Sequence, residues 1–175
     1  MNPNKALWEK GDFTRIAQSM RESGEAVVES LGVKPGLKVL DLGCGDGTTA
    51  LPAASRGADV LGVDIARNLV EAGNRRAREH GLTNLRFQEG DASNLSELAD
   101  DSFDLVVSIF GAMFAPKPFD VAKEMVRGTR PGGRMDGRAA DLQKELVALF
   151  ESQNRSSTTG TTSIPATFLR VTVRT

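Results

Sequence analysis

Between residues 37 and 130, short apolar runs alternate with longer amphipathic stretches, and this alternation constrains the fold more than any other feature. LKVLDL (37–42), ADVLGVD (58–64), NLRFQEG (84–90) and SFDLVVSIFGA (102–112) read as strands. Between them, helices are expected over about 47–56, over 66–80 (stopped by Gly81), near 94–99, and over 118–130 before Pro131, Gly132 and Gly133. Ahead of them, residues 13–31 place Phe13, Ile16, Ala17, Met20, Val27, Val28 and Leu31 at helical spacing. Strands separated by helices predict an α/β protein: a doubly wound, mostly parallel sheet with helices on both faces. In such sheets ligands bind outside the carboxyl ends of the strands.

The loop leaving the first strand is therefore the place to look, and it reads GCGDG (43–47). Gly43, Gly45 and Gly47 let the backbone approach a ligand closely. A dinucleotide fingerprint requires G-x-G-x-x-G, whereas here the third position is Thr48, and there is no G-K-[ST] for a nucleotide-phosphate loop. Asp41 stands just ahead of the first glycine, and a carboxylate near a pyrophosphate is repulsive. A ligand carrying an ammonium has the opposite preference, with Asp41 orienting it directly or through water. The other strand ends agree. Asp64 closes VLGVD, where a carboxylate accepts from two ribose hydroxyls; Ile65 offers an apolar face to a purine. Asp91 in EGDAS suits an exocyclic adenine amine, and Ala92 offers backbone groups beside it. Ser108, Ile109 and Phe110 end the fourth strand, beside the reacting group. Asp64 and Asp91 also read as helix N-caps. Phe110, Met113 and Phe114 read equally as pocket wall or core, and Trp8 as a lid or a packing residue.

Composition excludes several alternatives. The 22 Lys and Arg nearly balance the 23 Asp and Glu, so no global field recruits nucleic acid or anionic membrane. No stretch approaches the ~20 apolar residues of a membrane helix, and MNPNKALWEKGDF carries no apolar signal core, which together predict a cytoplasmic protein without membrane insertion. The lone Cys44 excludes an internal disulfide and a cysteine-rich metal site; it reads as a small packing residue of the glycine loop. The lone His80 falls in the last turn of a helix, where it suits the dipole.

VLDLGCGDG, VLGVD, FQEGDAS, FDLVVSIFGAMFAP and EMVRGTRPGG together resemble the class I S-adenosylmethionine-dependent methyltransferases, notably the ubiquinone/menaquinone-biosynthesis-like group. The resemblance implies a Rossmann-like core and S-adenosyl-L-methionine as cofactor, with S-adenosyl-L-homocysteine as product. It implies that Asp41, Gly43, Gly45 and Gly47, with Cys44 in the same loop, hold the methionine part. Asp64 would hold the ribose, and Ile65, Asp91 and Ala92 the adenine; Ser108 lies beside the methyl. LWEKGDFTRIA (7–17) looks like the lead-in helix that covers the donor. No N-P-P-aromatic motif follows the fourth strand, which with the balanced charge points to a small-molecule acceptor. The donor methyl is already activated, so transfer rests mainly on positioning; a base is needed only when the acceptor must lose a proton, and no catalytic residue can be named.

The resemblance ends after PGG. Where the family continues into a buried fifth strand, RMDGRAADLQ would bury unpaired charge. The expectation is a fifth strand that is short or missing, a helix over 138–153, a Ser/Thr-rich loop over 155–165, and a C-terminal strand (166–174) antiparallel at or near the edge. Three regions result: a helical lead-in (1–33), a donor-binding core (34–133) and a shortened C-terminal part (134–175). A donor-binding domain with little catalysis is the alternative function, and a nicotinamide-dependent oxidoreductase the less favoured one.

Overall fold

The computed structural model describes residues 2, 4–109 and 111–131. Three helices come first, α1 (Lys5–Trp8), α2 (Phe13–Gln18) and α3 (Arg21–Ser30). An alternating series follows: β1 (Lys38–Leu42), α4 (Ala50–Ser55), β2 (Asp59–Asp64), α5 (Arg67–Glu79), β3 (Leu85–Glu89), β4 (Leu105–Val107) and α6 (Pro118–Gly128). The four strands form one sheet in the order β3-β2-β1-β4, and every pairing is parallel. The order reverses beside β1, so the loop after β1 opens at the switch point where such sheets bind ligands.

β1 and β2 are buried after their first residue, as a strand covered on both faces requires. Val39, Val60, Phe87 and Val107 pack with Val28 of α3, Ala50, Leu51, Ala53 and Ala54 of α4, and Val70 and Ala77 of α5. Leu40, Leu42, Leu61, Val63 and Val106 pack on the other side with Val121 and Met125 of α6. The helices thus cover both faces, as the alternation predicts.

Several elements differ from the periodicity. The long N-terminal helix is two: at Ser19 and Met20 the amides turn back to Ile16 O and Ala17 O, closing the α2 turn before α3 starts. Residues 94–99 are not helical, because α6 satisfies their backbone from outside. Glu124 Oε2 accepts from Leu95 N (3.0 Å), while the Arg127 guanidinium donates to Leu95 O (2.7 Å) and Leu98 O (2.8 Å). β4 is three residues long: Ser108 Oγ donates to Leu42 O (2.6 Å) and accepts from Ala112 N (3.0 Å), drawing the chain out of the ladder. His80 caps the C-terminus of α5. The expected helix over 138–153, the strand over 166–174 and the short or missing fifth strand lie outside the described residues.

Candidate functional site

A cavity of about 320 Å³ opens at the carboxyl ends of the strands. Eight residues singled out from the sequence line it: Asp41, Gly43, Cys44, Gly45, Asp64, Ile65, Asp91 and Ala92. The ends of three strands and the loops that follow them bring these residues together, and the parallel sheet is what aligns those ends.

Two expected residues do not line it. Gly47, at φ +93°, makes room for packing instead: a Cβ there would lie 2.7 Å from Phe87 Cζ and 2.3 Å from Leu51 Cδ1. Ser108 ties β1 to the exit of β4 through its bond to Leu42 O. Phe110 lies outside the described residues.

The glycine loop turns its donors inward. Gly43 N and Cys44 N donate to Val63 O (2.8 and 3.2 Å), Gly45 N to Asp64 Oδ2 (2.8 Å), and Gly47 N to Cys44 O (3.0 Å). A phosphate cradle needs such amides free. Gly43, at φ +66°, also lets the chain beyond β4 cross the loop, since a Cβ there would stand 2.4 Å from Gly111 Cα. Four of the five amides of GCGDG are thus taken up within the protein, which leaves little of a phosphate cradle.

Two aspartates of this region have opposite fates. Asp46 is buried and ion-paired, although its Oδ1 has no hydrogen bond: Arg21 binds its carboxylate and Thr48 Oγ1, and Arg76 donates to its carbonyl oxygen (2.7 Å). Asp41 is 2% exposed, and its Oδ2 has no hydrogen-bond partner. Burial, and then the nearby Asp64 carboxylate, push the Asp41 carboxyl up to about 7. Such a group is a ready acceptor for a ligand ammonium. Asp64 is also raised by burial, against bonds from the amides of Ala66 (2.9 Å) and Gly45 that favour its ionised form. Burial raises the Cys44 thiol well above its usual value, so it stays protonated, as a packing residue does. At Asp91, desolvation is outweighed by bonds from Ser93 and Asn2, which hold the carboxyl below its usual range.

The remaining walls are largely apolar; the sequence offers the 7–17 segment as a cover and Phe114 as pocket wall or core, and does not single out Ala115 or Pro116. Phe13, Ile16, Ala17 and Met20 come from α2 and its exit, and Phe114, Ala115 and Pro116 from the segment after β4. The Trp8 ring packs against Phe13 (4.7 Å between centroids) and edge-on to Phe114 (5.1 Å). Met113 points away, 69% exposed. The 3.6-residue period of 13–20 announces a buried face, but nothing local says that it faces a cavity. Among the described residues no cluster of His, Cys, Asp and Glu suits a metal ion, and no helix is long and apolar enough to cross a membrane.

A parallel α/β sheet with acids at three successive strand ends and a glycine loop at the switch point defines a Rossmann-like class of protein. Within that class the chain belongs to the methyltransferase-domain family, whose model matches residues 33–168. It is 42% identical over 131 residues to an uncharacterized protein of Mycobacterium tuberculosis, covering 74% of this chain and 47% of that one. It is 40% identical over 126 residues to the demethylmenaquinone methyltransferase of Paenarthrobacter aurescens, covering 72% and 47%. The chain spans about half the length of these curated relatives. A S-adenosylmethionine-dependent methyltransferase from Aquifex aeolicus shares the fold, with a TM-score of 0.62 at 20% identity over 81% of this chain and 87% of that one. The family read from VLDLGCGDG and its companion motifs is thus the right one.

Proposed function

We propose that the cavity binds S-adenosyl-L-methionine and that the protein transfers its methyl group to a small, largely apolar acceptor. The observation that carries this reading is the unpartnered Asp41 Oδ2, buried at the wall of a cavity where the amides of Gly43, Cys44, Gly45 and Gly47 are already engaged. That arrangement suits an amino-acid ammonium and rejects a pyrophosphate, which disfavours a nicotinamide cofactor.

In this reading Asp41 holds the ammonium and Gly43, Cys44 and Gly45 pack along the aliphatic part. Asp64, fixed by the Gly45 and Ala66 amides, keeps lone pairs for ribose hydroxyls. Ile65 and Ala92 enclose the adenine, and Asp91 accepts from its amine. Residues 1–33 form the cover and residues 34–133 the donor-binding core; residues 134–175 lie outside the described residues. The bound donor supplies a sulfonium-activated methyl, so the protein's task is to align the acceptor and exclude water. Trp8, Phe13, Met20 and Phe114 supply the dry wall for that, and it fits an apolar acceptor ring. The relative named demethylmenaquinone methyltransferase supports an acceptor of quinol type.

Calorimetric titration with S-adenosylhomocysteine, with NADH as control, tests the donor site. Micromolar binding of the first alone, lost in a folded Asp64→Ala variant, is the expected result; NADH binding instead would overturn it. Methyl transfer to a panel of quinols and phenols then tests the acceptor.

A further inference from the structure

The turn that Asn2, Asn4 and Lys5 make is fastened across the cavity mouth on both sides. On one side, Asn2 Nδ2 donates to Asp91 Oδ2 (3.1 Å), and Lys5 pairs with Glu89 at the end of β3. On the other, Asn4 Nδ2 donates to Phe114 O (3.0 Å) in the segment beyond β4. The turn is also closed on itself, with Asn4 N donating to Asn2 Oδ1 (3.0 Å) and Lys5 N to Asn2 O (3.3 Å). Asn2, Asn4, Trp8, Asp91 and Phe114 all line the cavity.

We propose that this turn is a self-occupying strap, in which the Asn2 carboxamide holds the Asp91 acceptor that the donor's adenine amine takes, so that the donor must displace it to enter. The inference rests on the donor reading of Asp91. A carboxamide NH₂ and the exocyclic amine of adenine are both planar nitrogens with two donors, so one substitutes for the other at a carboxylate. Asp91 Oδ1 is already filled by Ser93 N (3.0 Å) and Ser93 Oγ (2.8 Å), which leaves Oδ2 as the oxygen for which they compete. The strap's anchors are polar and only part-buried or exposed, so it opens locally without unfolding the sheet. Apparent donor affinity is then the intrinsic affinity reduced by the fraction of molecules with the strap open. Donor association is limited by opening once the ligand is abundant.

Trp8 is the chain's single tryptophan and packs on Phe114 beside the Asn4 anchor, so its fluorescence reports on the strap. The experiment is stopped-flow mixing of S-adenosylhomocysteine with the wild type, Asn2→Ala and Asn2→Asp, with calorimetry for Kd and a melting curve to check the fold. Asn2→Ala removes the competing amine, and Asn2→Asp sets a carboxylate against a carboxylate. Both variants are expected to bind roughly three- to tenfold tighter, as loss of a mostly closed state requires. The wild-type rate is expected to level off at high ligand, with the plateau raised in the variants. Wild-type binding with equal or weaker affinity in the variants would overturn the strap while leaving the donor site intact. Failure of the wild type and both variants to bind would overturn the donor reading, and the strap with it.

Discussion

Asp41 and Asp46 lie on the same short segment, are both buried, line the cavity and each keep one carboxylate oxygen without a hydrogen-bond partner, yet only Asp46 has cations beside it. Asp46 meets two arginines, so its charge is balanced before any ligand arrives. The Asp41 carboxyl stands at about 7 in the fold against 3.8 for a free side chain, chiefly through burial. Between those values the folded state holds the proton that the unfolded state has released. Stability therefore falls as pH rises through that window, and the cost is complete above about pH 7. Asp41→Asn, a neutral side chain of the same shape, is expected to melt higher than the wild type near pH 8, with the difference gone near about pH 4. Donor affinity should run the other way. An ammonium needs the ionised carboxylate, so S-adenosylhomocysteine binding is expected to strengthen between about pH 6 and 8 in the wild type and to stay flat in Asp41→Asn. A pH-independent wild-type Kd would remove Asp41 from the ammonium site.

The elements around the glycine loop are fitted together by one ring. Phe87 of β3 occupies a slot whose walls are glycines from three places: Gly47 in the loop, Gly62 in β2 and Gly73 in α5. A Cβ would stand 2.7 Å from the ring at Gly47 and at Gly62, and 2.8 Å at Gly73. Glycine inside a helix ordinarily costs about 1 kcal/mol against alanine, so Gly73→Ala would stabilise an isolated α5. Here the order reverses. Gly73→Ala is expected to destabilise the fold by about 1–3 kcal/mol through overpacking. Adding Phe87→Leu should recover part of that loss, a coupling that a double-mutant cycle in urea measures. Each strand and helix of this layer was legible from its apolar period, whereas the slot was not. Its glycines read as a ligand loop, a strand residue and a helix residue, and no local rule joins them. The same holds for residues 94–99, where Arg127 and Glu124 of α6 satisfy a backbone that the pattern assigned to a helix.

For the molecule as a whole, the cavity is built by β-strand ends and the segment after β4 together with α1, α2 and Met20, so binding of a ligand there and folding are linked. S-adenosylhomocysteine at a hundred times its Kd is expected to add about 2.7 kcal/mol, or about 5–10 °C in Tm, to the wild type. A folded Asp64→Ala protein should show no such rise in differential scanning fluorimetry. The sequence by itself determined the α/β class, the two-faced parallel sheet, the glycine loop at the switch point and the acids at the strand ends. These follow from local chemistry: a period of two or 3.6, a glycine where the chain turns, a carboxylate where a strand stops. Only the tertiary structure decided which of these groups remain available to a ligand. Asn2 reaches Asp91 across 89 positions, Ser108 reaches Leu42 across 66, and Arg21 reaches Asp46 across 25. A buried polar group takes whatever partner the packed chain brings to it, and that partner is set by distance in space, on which the spacing of residues along the chain is silent.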